Sequence, residues 1–298
     1  MALSPSYVPL SPKGEELKPH GTSKFPIACY SEGLTHYYVP WHYHEEWEMI
    51  LITSGAAKLS ITGKEYILQE AEGTFINSGI LHTLQSSPNA TGNYHTIVFH
   101  PRLLGSIDSI YWQKYLEPIV QSKSLTHILF TQQQSWQREI LTKINRIWEL
   151  IYTEENGYEF YVRNLLSEII LAILDNYSFQ EARANYKDLR DAERIRVMLQ
   201  YIMDHYAEEI TLDTLSKEAL ISESEVLRCF HNTIKTTPKQ YLRQYRLQKA
   251  CRLLTDTDNT SLEVALECGF QNSSYFTKTF REQIGCTPLE YRKNSRDA

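Results

Sequence analysis

Residues 211–234, TLDTLSKEALISESEVLRCFHNTI, and residues 261–284, SLEVALECGFQNSSYFTKTFREQI, are one motif written twice. A shift of fifty positions lays Leu212 on Leu262, Asp213 on Glu263, Ser224 on Ser274, Arg228 on Lys278, Phe230 on Phe280 and Ile234 on Ile284. It also carries Thr237, Pro238 and Tyr241 onto Thr287, Pro288 and Tyr291. Identities and like-for-like exchanges at one offset over so short a window mark a tandem structural repeat. In the second copy Ser261 is placed to cap a short helix through Glu267. Gly269 then supplies a turn at positive φ, and Asn272 or Ser273 caps a second helix. Tyr275, Phe276, Thr279, Phe280 and Ile284 recur at helical spacing and predict the buried side of that helix. Ser273, Ser274, Thr277, Lys278 and Arg281 are left to face outward, and small hydroxyls beside a cation fit the floor of a DNA major groove. The spacing thus predicts two helix-turn-helix motifs in an all-α C-terminal domain over residues 192–298.

The copies are unequal. Ala219 stands fifty positions before Gly269, which predicts a strained or reshaped first turn. Glu223 and Glu225 flank Ser224 and predict repulsion of phosphates there. Between the copies, Pro238 opens a long helix through Leu254. Tyr241, Leu242, Tyr245, Leu247, Ala250 and Leu253 are available for packing, and Lys239, Arg243, Arg246, Lys249 and Arg252 lie on another face. Upstream, Ile195, Met198, Leu199, Ile202 and Tyr206 predict a support helix.

The chain of 298 residues has a formal charge of -6, but residues 1–189 hold 14 basic and 20 acidic side chains while residues 190–298 hold 16 of each. The acidic excess is confined to the N-terminal part, so the total does not argue against nucleic acid. A local basic strip governs contact with phosphates, because salt screens more distant charge. Cys29, Cys229, Cys251, Cys268 and Cys286 are scattered and odd in number, as expected of core thiols in a reducing compartment. No signal-peptide pattern opens the chain, and the most apolar window, residues 165–174, is too short to cross a bilayer. The expectation is a cytoplasmic protein without membrane contact.

Residues 1–26 are rich in Pro and Ser and predict a flexible arm. From Ala28 to His100 short alternating segments are separated by turn signals: Glu48 to Thr53, Lys58 to Thr62, Glu65 to Leu68 and Tyr94 to Phe99. This texture predicts a small β-barrel. After Pro101 helical periodicity takes over. Trp136, Ile140, Ile144, Ile147 and Ile151 make one face; beyond Gly157, Phe160, Leu165, Ile169, Ile173 and Leu174 make another. A helical hairpin follows, expected to cover the barrel, to join two copies of the chain, or to do both. Residues 27–180 thus form the N-terminal domain and residues 181–191 a polar linker.

The run from His42 through His44 and Glu48 to Gly55 resembles the first signature of the cupin barrels, and Gly79 with His82 resembles the second, where Asn77 replaces the family's Pro. The resemblance implies that His42, His44, Glu48 and His82 converge inside the barrel, either to line a ligand pocket with Tyr37 and Tyr43 or to hold a divalent metal ion. Residues 211–293 resemble the AraC/XylS-type DNA-binding domain, most plainly at Glu263 to Phe276 and at Thr287 to Arg292. That resemblance implies base reading by Ser224, Leu227, Arg228, Ser273, Ser274, Thr277 and Lys278, and backbone anchoring by Lys239 and Arg281. Of these, Arg228 is the favoured base contact, since a guanidinium can grip guanine at two atoms. The implied function is sequence-specific, effector-gated transcription regulation, as an activator touching RNA polymerase and as a homodimer. The competing expectation is a metal-dependent cupin enzyme that a DNA-binding domain merely localises.

Overall fold

The computed structural model describes residues 20–33, 39, 41–61, 63–86, 92–122, 124–177 and 186–296. The chain divides into two compact units between Leu189 and Arg190.

The first unit is mixed β and α. One sheet has five antiparallel strands in the order β1 (Ile27–Gly33), β7 (Asn93–Phe99), β2 (Trp47–Ser54), β5 (Gly73–Ile76) and β8 (His127–Phe130); the other has the order β4 (Lys64–Gln69), β3 (Ala56–Ile61), β6 (His82–Ser86). Strand β2 explains the arrangement. Trp47, Met49 and Leu51 pack into one core with the helices, while Ile50 and Ile52 pack into another with Leu59, Ile61, Leu68 and Leu84 of the smaller sheet. Residues alternate sides along a strand, so β2 is apolar on both faces because both are covered. Glu48 shares the side of Ile50 and is the charged exception within the barrel.

The covering helices are α2 (Ser135–Thr153) and α3 (Tyr158–Asn176), which follow the short α1 (Glu117–Val120). Ile140, Ile144, Ile147 and Ile151 of α2 are buried as expected, and the hairpin covers the barrel. On α3, Ile169 and Ile173 are buried and Leu165 and Leu174 pack against the same core as expected, but Val162, Leu166 and Ile170 are buried as well and Phe160 is 73% exposed. The helix is apolar on more than one side, and the pattern alone left its rotation open. Strand β8 was also missed, because four residues show too little alternation.

The arm needs correction where it is described. His20 is buried and the Phe25 ring meets Tyr158 edge-on at 5.8 Å. Residues 1–19 lie outside the described residues.

His127 on β8 carries a pH consequence. Burial, and secondarily Lys64, holds its imidazole down to about 4. The unfolded chain therefore takes up this proton first, near its ordinary value, so the contribution is whole above about pH 6.5 and is lost as pH falls towards 4. We expect the first unit to lose about 2 kcal/mol over that interval from this group. Thermal unfolding at pH 7 and pH 4.5 checks it, with His127→Asn reducing the difference.

The second unit is helical. It comprises α4 (Tyr186–His205), whose main part falls here, then α5 (Leu212–Glu218), α6 (Glu223–Cys229), α7 (Pro238–Asp256), α8 (Ser261–Glu267), α9 (Ser273–Ile284) and α10 (Pro288–Arg296). Residues 186–191, expected as linker, belong to α4, and Asp191 is buried; residues 181–185 lie outside the described residues. Leu247, Ala250 and Leu254 of α7 join Val264, Ala265, Phe270, Phe276 and Phe280 in the core of the second repeat. Arg246 donates to the carbonyls of Tyr206 at 2.6 Å and Glu208 at 2.7 Å, and so holds the chain just beyond α4.

Candidate nucleic-acid interface and metal centre

The two motifs are built by the same local rules. Thr211 caps α5, and Thr260, rather than Ser261, caps α8. The Thr260 hydroxyl accepts from the Glu263 N–H while the Glu263 carboxylate accepts from the Thr260 N–H at 2.7 Å. After α8, Gly269 has φ 76° and the Phe270 N–H donates to the Ala265 carbonyl at 2.8 Å. After α5, Leu220 has φ 53° and the Ile221 N–H donates to the Ser216 carbonyl at 3.0 Å. Caps and turns thus align the first helices at an offset of forty-nine and the second helices, capped by Ser222 and Asn272, at fifty. Leu220, and not Ala219, stands in the place of Gly269. Ala219 is right-handed at φ −86° and unstrained. A single offset hid this because Gln271 lengthens the second turn by one residue.

The outer side of α9 forms an open groove of about 760 Å³ lined by Ser273, Ser274, Thr277, Lys278, Arg281, Glu282 and Thr287. Every base-reading and anchoring residue expected of the second repeat lies there. The inner side is Phe276, Thr279 and Phe280; Tyr275, expected in the core, is half exposed against Phe270.

In the first repeat Ser224 and Leu227 are exposed on α6, and Lys239 is exposed at the start of α7. Arg228 is more constrained. Its Nη2 donates to Glu225 Oε1 at 3.1 Å and lies 4.0 Å from Asp191 Oδ1. Arg194 Nη1 lies 3.5 Å from the same Asp191 oxygen and 3.6 Å from the same Glu225 oxygen. Glu225, expected to repel phosphates, is therefore paired with two guanidinium groups. The basic face expected on α7 is also partly engaged. Arg246 is bonded as above, Arg252 pairs with Asp256 at 3.0 Å, and Lys249 lies 5.1 Å from the centre of the Tyr245 ring.

In the barrel, His42, His44, Glu48 and His82 are all buried, and one nitrogen or carboxylate oxygen from each lies within 4.8 Å of the others. Backbone pairing brings them together: His42 and His82 exchange N–H···O bonds of 3.1 and 3.0 Å, and the Gly79 N–H donates to the His44 carbonyl at 2.8 Å. Asn77, where the cupin signature has Pro, is a buried hub. Its Oδ1 accepts from the Trp47 indole at 2.8 Å, and its Nδ2 donates to the carbonyls of Ile119 at 2.7 Å and Leu125 at 2.9 Å. It ties the turn to the sheet and to the segment before β8. Tyr43 is half buried, and Tyr37 lies outside the described residues. His20, unmarked in the sequence, is added to the cluster, with its ring 5.4 Å from His44 and Nδ1 2.8 Å from the Tyr30 hydroxyl.

The electrostatics of the cluster follow from its hydrogen bonds. His44 Nδ1 lies 3.1 Å from the Glu46 carbonyl and His82 Nδ1 lies 2.7 Å from the Ile80 carbonyl. Carbonyls only accept, so each Nδ1 carries its proton and each Nε2 of a neutral ring presents a lone pair. Those Nε2 atoms face Glu48 Oε2, at 3.3 Å from His44 and 2.7 Å from His82. Two acceptors at such distances need a proton or a cation between them, on an imidazole, on the carboxyl or as a metal ion. Burial alone would raise the Glu48 carboxyl, but the charge of His82 and hydrogen bonds from both imidazoles hold it well below the usual carboxylate range. The orientation of Nδ1 onto backbone carbonyls is the outer-shell arrangement that metal-binding histidines use, and the donor set fits a divalent ion of intermediate softness.

Residues 24–133 match the family model of the AraC-like ligand binding domain, and residues 215–294 match that of a helix-turn-helix domain. The HTH-type transcriptional regulator YdeC of Bacillus subtilis (strain 168) is 30% identical over 282 residues, 94% of this chain and 96% of its own. The chain belongs to the AraC family of transcriptional regulators. The HTH-type transcriptional activator RhaS of Enterobacter sp. (strain 638) is 25% identical over 266 residues, which is 87% of this chain and 89% of that protein. The solved DNA-binding domain of AdpA, in complex with a target DNA, is 31% identical, covers 34% of this chain and 90% of that one, and has a TM-score of 0.33. As an AraC-family member the chain is a DNA-binding, ligand-sensing regulator and not an enzyme; the metal-cupin enzyme reading falls with that assignment. Among the described residues, no helix is long and apolar enough to cross a membrane.

Proposed function

We propose that this AraC-family regulator is a homodimeric activator that contacts RNA polymerase at promoters and whose barrel senses a small effector together with a divalent cation. The groove on α9, lined by Ser273, Ser274, Thr277, Lys278 and Arg281, carries the promoter-reading part of the proposal. Helices α6 and α9 lie in equivalent places of the two repeats, and such units read successive turns of the major groove. Arg228 and Lys278 read bases; Lys239 and Arg281 hold phosphates and set register. The apolar side chains Phe160, Tyr161 and Leu171, exposed on α3, support self-association. Activation is favoured by the likeness to RhaS, a transcriptional activator. His42, His44, Glu48 and His82 would hold the cation, which would supply positive charge where the imidazoles and the carboxylate oppose one another.

Binding of promoter fragments across a salt series tests the DNA reading. Arg281→Ala should weaken all sequences alike and lower the salt slope by about one counterion. Lys278→Ala should instead change preference among sequences. Binding that is indifferent to both substitutions refutes the assignment of α9.

A further inference from the structure

The cluster around Arg228 is built from two helices, and one of its members comes from outside the helix-turn-helix motif. Asp191 stands in α4, twenty residues before the first repeat opens, yet only 4% of it is exposed. An acid is seldom buried so fully without a partner. The partners here are the Cys229 thiol on α6, which is hydrogen-bonded to it, Arg194, one turn along the same helix, and Arg228, the favoured base reader on α6, the two cations at 3.5 and 4.0 Å. Glu225 closes the figure with contacts of 3.6 Å to Arg194 and 3.1 Å to Arg228. Two cations and two anions alternate around it. Arg228 Nη2 takes both of its contacts from this side, and Arg228 remains part exposed.

We propose that Asp191 is a specificity-setting residue of the first reading head, acting as a positioning group for Arg228. A free arginine side chain has several rotatable bonds and can meet many base edges or a phosphate. In Arg228 one nitrogen, Nη2, is drawn to Glu225 by a hydrogen bond and to Asp191 by charge, and Nε is buried; this narrows the directions that its remaining donors can take, which favours two-point recognition of guanine. Arg194 shares the negative charge of both acids, so the pair orients Arg228 without placing an unbalanced charge beside DNA. The first head therefore exchanges some phosphate attraction for selectivity, whereas Lys278 at the matching place in the second head is exposed and has only a 3.9 Å contact with Glu282. The sequence repeat extends over residues 211–292 and could not reveal this, because the orienting acid lies upstream of it.

The inference rests on base reading by Arg228, and the test separates the two. Binding selection from a randomised DNA library, with the full chain, is compared for wild type, Arg228→Ala, Asp191→Asn, Asp191→Glu and Glu225→Gln. Arg228→Ala should flatten preference at one base pair by about tenfold or more. Asp191→Asn and Glu225→Gln should flatten the same base pair by several fold, leave preferences under the second head unchanged, and leave affinity for random DNA equal or higher. Asp191→Glu, which keeps the charge, should retain part of the preference. If Arg228→Ala flattens no base pair, base reading by Arg228 and this inference both fail. If Arg228→Ala flattens one and Glu225→Gln and Asp191→Asn do not, or weaken all sequences equally, Asp191 is only a structural acid. If Asp191→Asn lowers stability, selection is run at a temperature where circular dichroism shows the variant folded, and that result decides for Asp191, while Glu225→Gln reads the contribution of Glu225 separately.

Discussion

Gly269→Ala is expected to open the second reading head, at a cost of about 3 kcal/mol. Two terms add. A side chain at φ 76° costs about 1–2 kcal/mol in the left-handed region. The new Cβ would also lie 2.6 Å from the Ala207 carbonyl oxygen and 2.8 Å from Ala207 Cα, which is backbone and cannot swing away. Relief of that overlap must separate the turn from the segment after α4. Leu220 provides the internal comparison, since it holds the equivalent position at φ 53° and is 90% exposed. Leu220→Gly removes the conformational cost and almost no packing, and should stabilise by about 1 kcal/mol or less. Hydrogen exchange of the α8 and α9 amides reads the first substitution and that of α5 and α6 the second. Unchanged protection in Gly269→Ala would show that the turn has another shape.

Glu48→Gln is expected to abolish tight binding of a divalent cation, with affinity falling by about 100-fold or more. Glutamine keeps the size of the side chain and can donate an amide proton to the lone pair at His82 Nε2, so the barrel should stay folded without any cation. Loss of the carboxylate removes the one anionic ligand among the four. Titration with Co²⁺ followed by visible absorption measures the effect, with metal content of the purified wild type as the reference. A wild type that binds no divalent ion, or a variant that binds as tightly, would leave the cluster as pocket lining in which a proton supplies the charge.

What could be read from the amino-acid order depended on how local its cause was. Strand β2 and helix α9 were legible because alternation and helical spacing are repeated over several residues. Gly269 was legible because its residue type names its conformation. Leu220 was not, since a leucine at positive φ leaves no mark in sequence and the copies differ in length at that turn. His42, His44, Glu48 and His82 were singled out through the cupin resemblance, and the structure brings their nitrogen and carboxylate atoms together. Asn77 departs from the second signature, and its bonds to Trp47, Ile119 and Leu125 make it the tie that holds the turn. The roles of His20, Asp191 and Arg246 are not legible in the sequence for a shared reason. Each acts on a partner distant in sequence, through contacts that no periodicity encodes. Charge counting misled at Glu225 and on α7, where pairing with Arg194 and Arg228, and bonding of Arg246 to carbonyls, remove groups that a count leaves free.

In the proposed function, occupancy of the barrel governs reading of DNA by the two heads. The affinity of the full chain for its selected DNA site should therefore be measured metal-free and then with Mn²⁺, Fe²⁺, Co²⁺, Ni²⁺ or Zn²⁺, in wild type and in Glu48→Gln. At least one ion should change the wild-type affinity by about fivefold or more, in line with ordinary coupling between sites, and no ion should change that of Glu48→Gln. Equal affinity under every ion, or an equal response in both proteins, would contradict it.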